Sequence, residues 1–202
     1  KNRAANRVAL PGGHSRAGWL SPIHEDILIG KEENAGSGMQ SARLQAELRY
    51  RDIRQLVYKV VETELRTLEP AVALTEISEA VLRQTDSWRS LYPSCLLTHK
   101  PGWSWRRVVE KFRCRPRRIE VALWHDNLVC GLAVGRVSDK RVIATIHFVE
   151  SLPVANPLKG KVVPFLVRFL EAMSVNLGCE TVSIEQPATE LIPYYSFLGF
   201  TR

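Results

Sequence analysis

Seven cations crowd one short stretch of this chain: Arg106, Arg107, Lys111, Arg113, Arg115, Arg117 and Arg118. Trp103 and Trp105 stand beside them. Such a cluster grips phosphate oxygens of RNA or DNA, and an indole next to it offers a face on which a base can stack. The same charges fit an acidic protein, and they equally suit a solvated helix face and turn with no ligand. No helix-turn-helix, zinc-finger or ribonucleoprotein signature accompanies them, so base-specific readout is not expected. Cysteine chemistry is a weaker prospect. Cys95, Cys114, Cys130 and Cys179 form no C-x-x-C pair, and no His stands at zinc-ligand spacing from one. Neither a metal site nor a disulfide scaffold is expected, and reduced thiols in a cytoplasmic protein fit best.

The elements that must position these groups come from a chain of 202 residues, enough for one domain or one domain with an extension. Hydrophobic residues make up 45% and charged residues 24%, so a core can be buried. The net charge of +7 favours anionic partners. No run approaches the ~20 apolar residues of a membrane helix, so no membrane partner is expected. No basic segment followed by an apolar run opens the chain, and a secretory leader is not expected. The chain starts at Lys1, as a fragment or a processed product would.

Residues 1–43 hold six of the twelve glycines. Short apolar islands interrupt them at Val8 to Leu10, Trp19-Leu20 and Ile27 to Ile29. This composition predicts an extended, partly disordered arm, with a folded domain over 44–202. From Leu44 to Leu68 apolar residues recur every three or four positions, with Arg, Lys and Glu opposite, and Pro70 closes the run. A second helix is expected over Thr75 to Gln84 with Thr75 as N-cap. A third is expected over Trp103 to Phe112. The period then changes. Ile119 to Trp124, Leu128 to Val137 and Arg141 to Val149 read as a three-strand antiparallel meander, broken at His125-Asp126-Asn127 and Ser138-Asp139-Lys140. A helix over Gly160 to Asn176 follows, ended near Gly178. Thr181 to Gln186 reads as a strand and Thr189 to Leu198 as a last helix. The expected fold class is α/β (α+β): a mixed sheet with an antiparallel meander, flanked by helices and preceded by a helical N-terminal part.

Two local segments carry a family resemblance. Pro157-Leu158-Lys159-Gly160-Lys161-Val162 links a strand to a helix. Tyr194-Tyr195-Ser196-Phe197-Leu198-Gly199-Phe200 follows the strand after that helix. With the order meander, helix, strand, helix, these resemble the GNAT superfamily of acyl-CoA-dependent N-acyltransferases. In that family a Q/R-x-x-G-x-G/A loop opens a helix, and its N–H groups hold the cofactor pyrophosphate. A helix start with free amides and its positive dipole end binds phosphate, and glycine permits close approach. Gly160 matches the central glycine. Pro157 and Val162 depart from the pattern, and Lys159 and Lys161 add point charges. The resemblance covers about residues 119–202. The family adds at least one more strand after the position of Phe200, so that strand is either missing here or replaced by another segment.

The resemblance implies an enzyme that moves an acetyl or related acyl group from acyl-CoA to an amine. Such a transfer needs a neutral amine, a donor to the oxyanion and a proton for the thiolate. It implies cofactor contacts at Leu152, Val154, Lys159, Gly160, Lys161, Val162 and Val163, with the oxyanion donor a backbone N–H between Ser151 and Val154. It implies Tyr195 as the acid or as a packing residue. His147 and Glu150 are the base candidates. Strand alternation places them on opposite faces, so one of them is expected in the cleft. Ser183 and Glu185 are candidate acceptor contacts. The acceptor is left open among protein, tRNA-linked and small-molecule amines. Two other readings stay open. One is a catalytically inactive GNAT-like module that binds nucleic acid or a protein through the basic cluster. The other is an acyltransferase with an unusual acyl donor.

Overall fold

The computed structural model describes residues 7–11, 37–92 and 102–201. The islands at Trp19-Leu20 and Ile27 to Ile29, and also Cys95 and His99, lie outside them. The elements run β1 (Arg7–Pro11), α1 (Ser37–Leu65), β2 (Val72–Thr75), α2 (Glu79–Thr85), α3 (Trp88–Leu91), α4 (Trp105–Arg113) and β3 (Arg118–His125). Then come β4 (Leu128–Val137), β5 (Ile143–Ser151), α5 (Val162–Asn176), β6 (Thr181–Glu185), a 3-10 turn (Thr189–Leu191) and α6 (Ile192–Phe197). The result is a mixed α+β fold built on one six-stranded sheet ordered β1-β6-β5-β4-β3-β2.

β3, β4 and β5 form the antiparallel meander, and β6 joins β5 in parallel through the crossover helix α5. β1 lies antiparallel to β6, from Arg7 opposite Glu185 to Pro11 opposite Thr181. A segment from the N-terminal arm therefore occupies the place beside β6 where a further C-terminal strand was expected. β2 is an element the periodicity did not predict. Only four residues long, it shows Val72 and Leu74 inward in alternation, too short a pattern to stand out after Pro70. Thr75 belongs to this strand. The N-cap of α2 is Ser78, whose hydroxyl accepts from Val81 N–H at 3.5 Å.

The alternation of the strands splits the core in two. Ile119, Val121, Cys130, Ala133, Ala144 and Ile146 face α1 and α5, where Tyr58 stacks on Phe169 at 5.3 Å. Ala122, Val129, Leu132, Val134 and Phe148 face α2, α3 and α4, with Trp88, Trp105, Val108 and Phe112.

α1 keeps Val57, Val61 and Leu65 of its expected stripe and departs from part of the rest. Leu44, Leu48, Leu56 and Leu68 are exposed, while Tyr50, Arg54, Val57, Tyr58, Val61 and Leu65 are buried. The reason lies in the sheet. β2 pairs with β3 only from Ala122 to His125, which leaves the start of β3 as an open edge. α1 covers that edge with polar groups. Arg54, 1% exposed, donates to the Pro116 carbonyl at 3.1 Å and to Glu47 at 2.9 Å. Tyr58 donates to the Glu120 carbonyl at 2.6 Å. Arg118 reaches both Glu120 and Glu47 at 2.7 Å. A buried charge is tolerated when it is paired and hydrogen-bonded, and an uncovered strand edge is a liability.

Candidate functional site

The central feature is a β-bulge. Gly135 of β4 sits opposite Ile146, and the next residue back, Val134, sits opposite Phe148. His147 and Phe148 together span one position on β4. Position 135 must be glycine for the strands to meet this way, because a Cβ there would collide with the Thr145 carbonyl. The bulge cancels the strict alternation downstream. The His147 ring lies 5.5 Å from Phe112, and Phe148 lies 6.0 Å from the same ring. Glu150 also faces α4. The expectation that His147 and Glu150 lie on opposite faces is therefore corrected: the extra residue brings both to the helical side.

The bulge coincides with a parting of strands. The last β5–β6 pair is Ile146 with Ile184. β5 runs on to Ser151 still bonded to β4, and no further pair with β6 forms among the described residues. Directly past the parting, His147 Nδ1 meets the Glu185 carboxylate within hydrogen-bonding reach. Both are half-buried, with side chains 16% and 24% exposed. They line a cavity of about 410 Å³. Trp103, Phe112 and Phe148 supply apolar walls, and Lys111, Arg115 and Arg136 supply charge. Lys111 lies 5.9 Å from the Phe148 ring centre and Arg115 the same distance from that of Phe112.

Glu150 is placed differently. Its carboxylate, 6% exposed, accepts from Tyr92 Oη at 2.8 Å and from Trp105 Nε1 at 2.6 Å. Burial raises its pKa, and the bonds from Tyr92 and Trp105 oppose that rise. Each carboxylate oxygen thus already has a donor.

The loop after β5 is fastened by Asn156. Its amide donates to the Cys130 carbonyl at 2.8 Å and its oxygen accepts from Leu158 N–H at 2.9 Å. Lys159 N–H bonds Asn156 O at 3.1 Å, and the N–H groups of Lys161 and Val162 bond Leu158 O at 2.9 and 3.2 Å. Leu152 N–H, one of the expected oxyanion donors, goes to Cys130 O at 2.9 Å, because it continues the β4–β5 ladder. Gly160 has φ of 81°, and the space about its Cα is open. Lys161 pairs with Glu69, whose carboxyl it pulls below its ordinary range. Lys159 is exposed, Val154 is 44% exposed, Val162 is buried, and Val163 packs against the core.

Tyr195, on α6, is 2% exposed and stands 6.0 Å from Phe200, edge to face. Burial pushes its phenol up to about 12, with a smaller push from Tyr194. Tyr195 does not line the 410 Å³ cavity. Ser183 faces Thr145 across the β5–β6 pair, hydroxyl to hydroxyl at 2.8 Å.

The basic cluster divides. Arg106 is held by Glu79 and Asp86, both at 2.8 Å. Arg117 donates to the Asp139 carbonyl at 2.5 Å, and Arg118 belongs to the β3 edge clamp. Arg107 and Arg113 are exposed on α4. Lys111 and Arg115 turn to the cavity. Trp105 is buried against Glu150, so of the two neighbouring indoles Trp103 is the one at the cavity. Sequence reasoning missed Arg136, Phe112, Phe148 and Tyr92 as site residues. Gly135 between two valine-rich runs was the one signal of the bulge.

Among the described residues no group of His, Cys, Asp and Glu is arranged to hold a metal ion, and no helix is long and apolar enough to cross a membrane. Cys114, Cys130 and Cys179 are unbridged. No family model and no curated protein matches the chain. Among solved structures it is similar to Ard1 from Thermoplasma volcanium, with a TM-score of 0.45 and 16% identity over 65% of this chain and 83% of that one. It is also similar to a conserved protein of unknown function from Bacteroides thetaiotaomicron VPI-5482, with a TM-score of 0.41 and 10% identity over 73% of this chain and 46% of that one. Neither likeness assigns a residue role, a substrate or a partner.

Proposed function

We propose that this chain is an N-acyltransferase of the GNAT type, which moves an acyl group from acyl-CoA to an amine. The observation that carries the reading is the parting of β5 from β6 past Ile146 and Ile184, with the His147–Glu185 pair at its mouth. Beyond the parting, the β5 edge that faces β6 can bond an extended acyl-carrier arm as a strand would. Glu185 accepts a hydrogen bond from His147 Nδ1–H, which leaves the buried Nε2 as the basic nitrogen. The amine nitrogen attacks the thioester carbonyl, the C–N bond forms and the C–S bond breaks. His147 takes the amine proton, a backbone N–H of β5 past the bulge meets the oxyanion, and the departing sulfur takes a proton from Tyr195. Burial keeps that phenol protonated across the neutral range. Glu150, already bonded to Tyr92 and Trp105, fixes α4 over the cavity rather than taking the proton.

The loop favours a second reading, a GNAT-like module that binds without transfer. Lys159, Lys161 and Val162 bond their N–H groups within the loop, and Lys161 is paired with Glu69. Thermal unfolding with 1 mM acetyl-CoA separates the two. A ligand at a hundred times its Kd stabilises by about 2.7 kcal/mol, or roughly 5–10 °C for a chain of this size. A rise of that order supports the transferase. No rise, together with salt-sensitive RNA binding, supports the binding module.

A further inference from the structure

We propose that the cavity between α4 and the β5–β6 parting is the acceptor subsite, and that its substrate class is a small primary amine bearing a carboxylate or phosphate. The amine part of this proposal rests on the acyl-transfer reading, and the anion part rests on the charges of the cavity.

Three cations from three places converge there: Lys111 from α4, Arg115 from the turn after it and Arg136 from β4. None of them forms an ion pair with a carboxylate among the described residues. Their neighbours in sequence do the opposite. Arg106 is chelated by two carboxylates, and Arg118 by two others. The carboxylate in the cavity, Glu185, is engaged by His147. Among the described residues the surplus positive charge therefore has no carboxylate counter-ion, and an anionic ligand would supply one.

Shape decides for a small molecule. About 410 Å³ falls in the range of small-ligand sites, roughly 300–1,000 Å³. Trp103, set edge-on to Phe148 at 4.9 Å, and Phe112 make the walls apolar. A nucleic-acid strand needs cations along an open track, but Arg106, Arg117 and Arg118 are tied down within the protein. Lys111 and Arg115, both exposed, have their charged ends 5.9 Å from the Phe148 and Phe112 ring centres, which directs them to the cavity side of α4. Three cations that converge on one small volume attract an anion more strongly than any one of them alone. With its anion on these cations, an acceptor has its amine in the cavity that His147 also lines.

The test is calorimetric titration of the full chain at low salt with matched amines. L-phenylalanine is compared with phenethylamine, and phosphoethanolamine with ethanolamine, so that the carboxylate and phosphate arms are read separately. In at least one pair the anion-bearing member should bind about tenfold or more tightly than its partner. Arg136→Gln, at an exposed position, should reduce that preference about threefold, and Lys111→Gln with Arg115→Gln should remove it. Acetyl-CoA, titrated alone, should bind wild type and variants equally. Equal binding within both pairs overturns the proposal, as does a preference that survives all three substitutions. So does a single-stranded RNA 20-mer that binds through these cations more tightly than any of the amines. If acetyl-CoA does not bind but the anion preference and its loss are seen, the anion site stands and the acyl-transfer reading falls.

Discussion

Two charged regions of this protein use the same residue types to opposite ends. At the open edge of β3, Arg54 and Arg118 meet Glu47 and Glu120, and the remaining donors go to backbone carbonyls. Every charge there is answered from within. In the cavity beside the β5–β6 parting, Lys111, Arg115 and Arg136 outnumber Glu185. The first arrangement holds α1 on the sheet, and the second leaves charge to be answered by a ligand. A dense run of arginines is thus no single feature. What separates a clamp from a site is whether the fold brings carboxylates to the cations.

The largest effect expected is on the clamp. Arg54→Ala takes from Glu120 one of its two cations, and takes a donor from Glu47 and from the Pro116 carbonyl; breaking a buried pair costs on the order of 3–5 kcal/mol. Urea unfolding should show that loss, with binding in the cavity retained. A loss below about 1 kcal/mol would erase the distinction between the two regions. Next comes His147→Gln, which removes the base and keeps a side chain of similar reach. Turnover should fall about a hundredfold, while stability stays within about 1 kcal/mol. A variant that unfolds instead would make His147 part of the core. Tyr195→Phe keeps the packing against Phe200 and loses the hydroxyl. Turnover with acetyl-CoA should drop about tenfold or more, and the acetyl-CoA Kd should change less than twofold. Unchanged turnover would take Tyr195 out of the chemistry.

The smallest effect is a pH slope from Glu150. Burial raises its folded pKa above the unfolded value, so the folded state holds more protons there. Its contribution is fully present below the unfolded pKa and is lost as pH rises through the folded one. Stability should therefore decline across the window just above the ordinary carboxylate range. Glu150→Gln should flatten that decline in denaturation curves taken across acid to neutral pH. A steeper decline in the variant would mean that the bonds from Tyr92 and Trp105 outweigh burial.

Much of the fold was legible because long segments with one clear period announce themselves. The meander, α4, α5 and β6 follow from runs of Val, Ile and Leu and from helical spacing. β2 escaped because four residues hold too little alternation. The expected stripe on α1 held in part: Val57, Val61 and Leu65 are buried, but Leu44, Leu48 and Leu56 satisfy the same helical period and are exposed, while Tyr50 and Arg54 are buried in their stead. The open edge of β3 chose between them, and it selected a face that contains Arg54.

The candidate site was legible only in pieces. His147, Glu150, Glu185, Lys111 and Arg115 could each be named from the chain as groups able to do chemistry. The sequence by itself determined the α+β class, the order of the elements and the presence of excess positive charge, because these depend on local period and composition. The tertiary structure alone decided which cations are matched and which are left over. It also decided that one bulge opposite Gly135 would turn His147 toward α4. Both depend on contacts between residues far apart in the chain, and a local pattern does not encode the carboxylate that will stand across from an arginine.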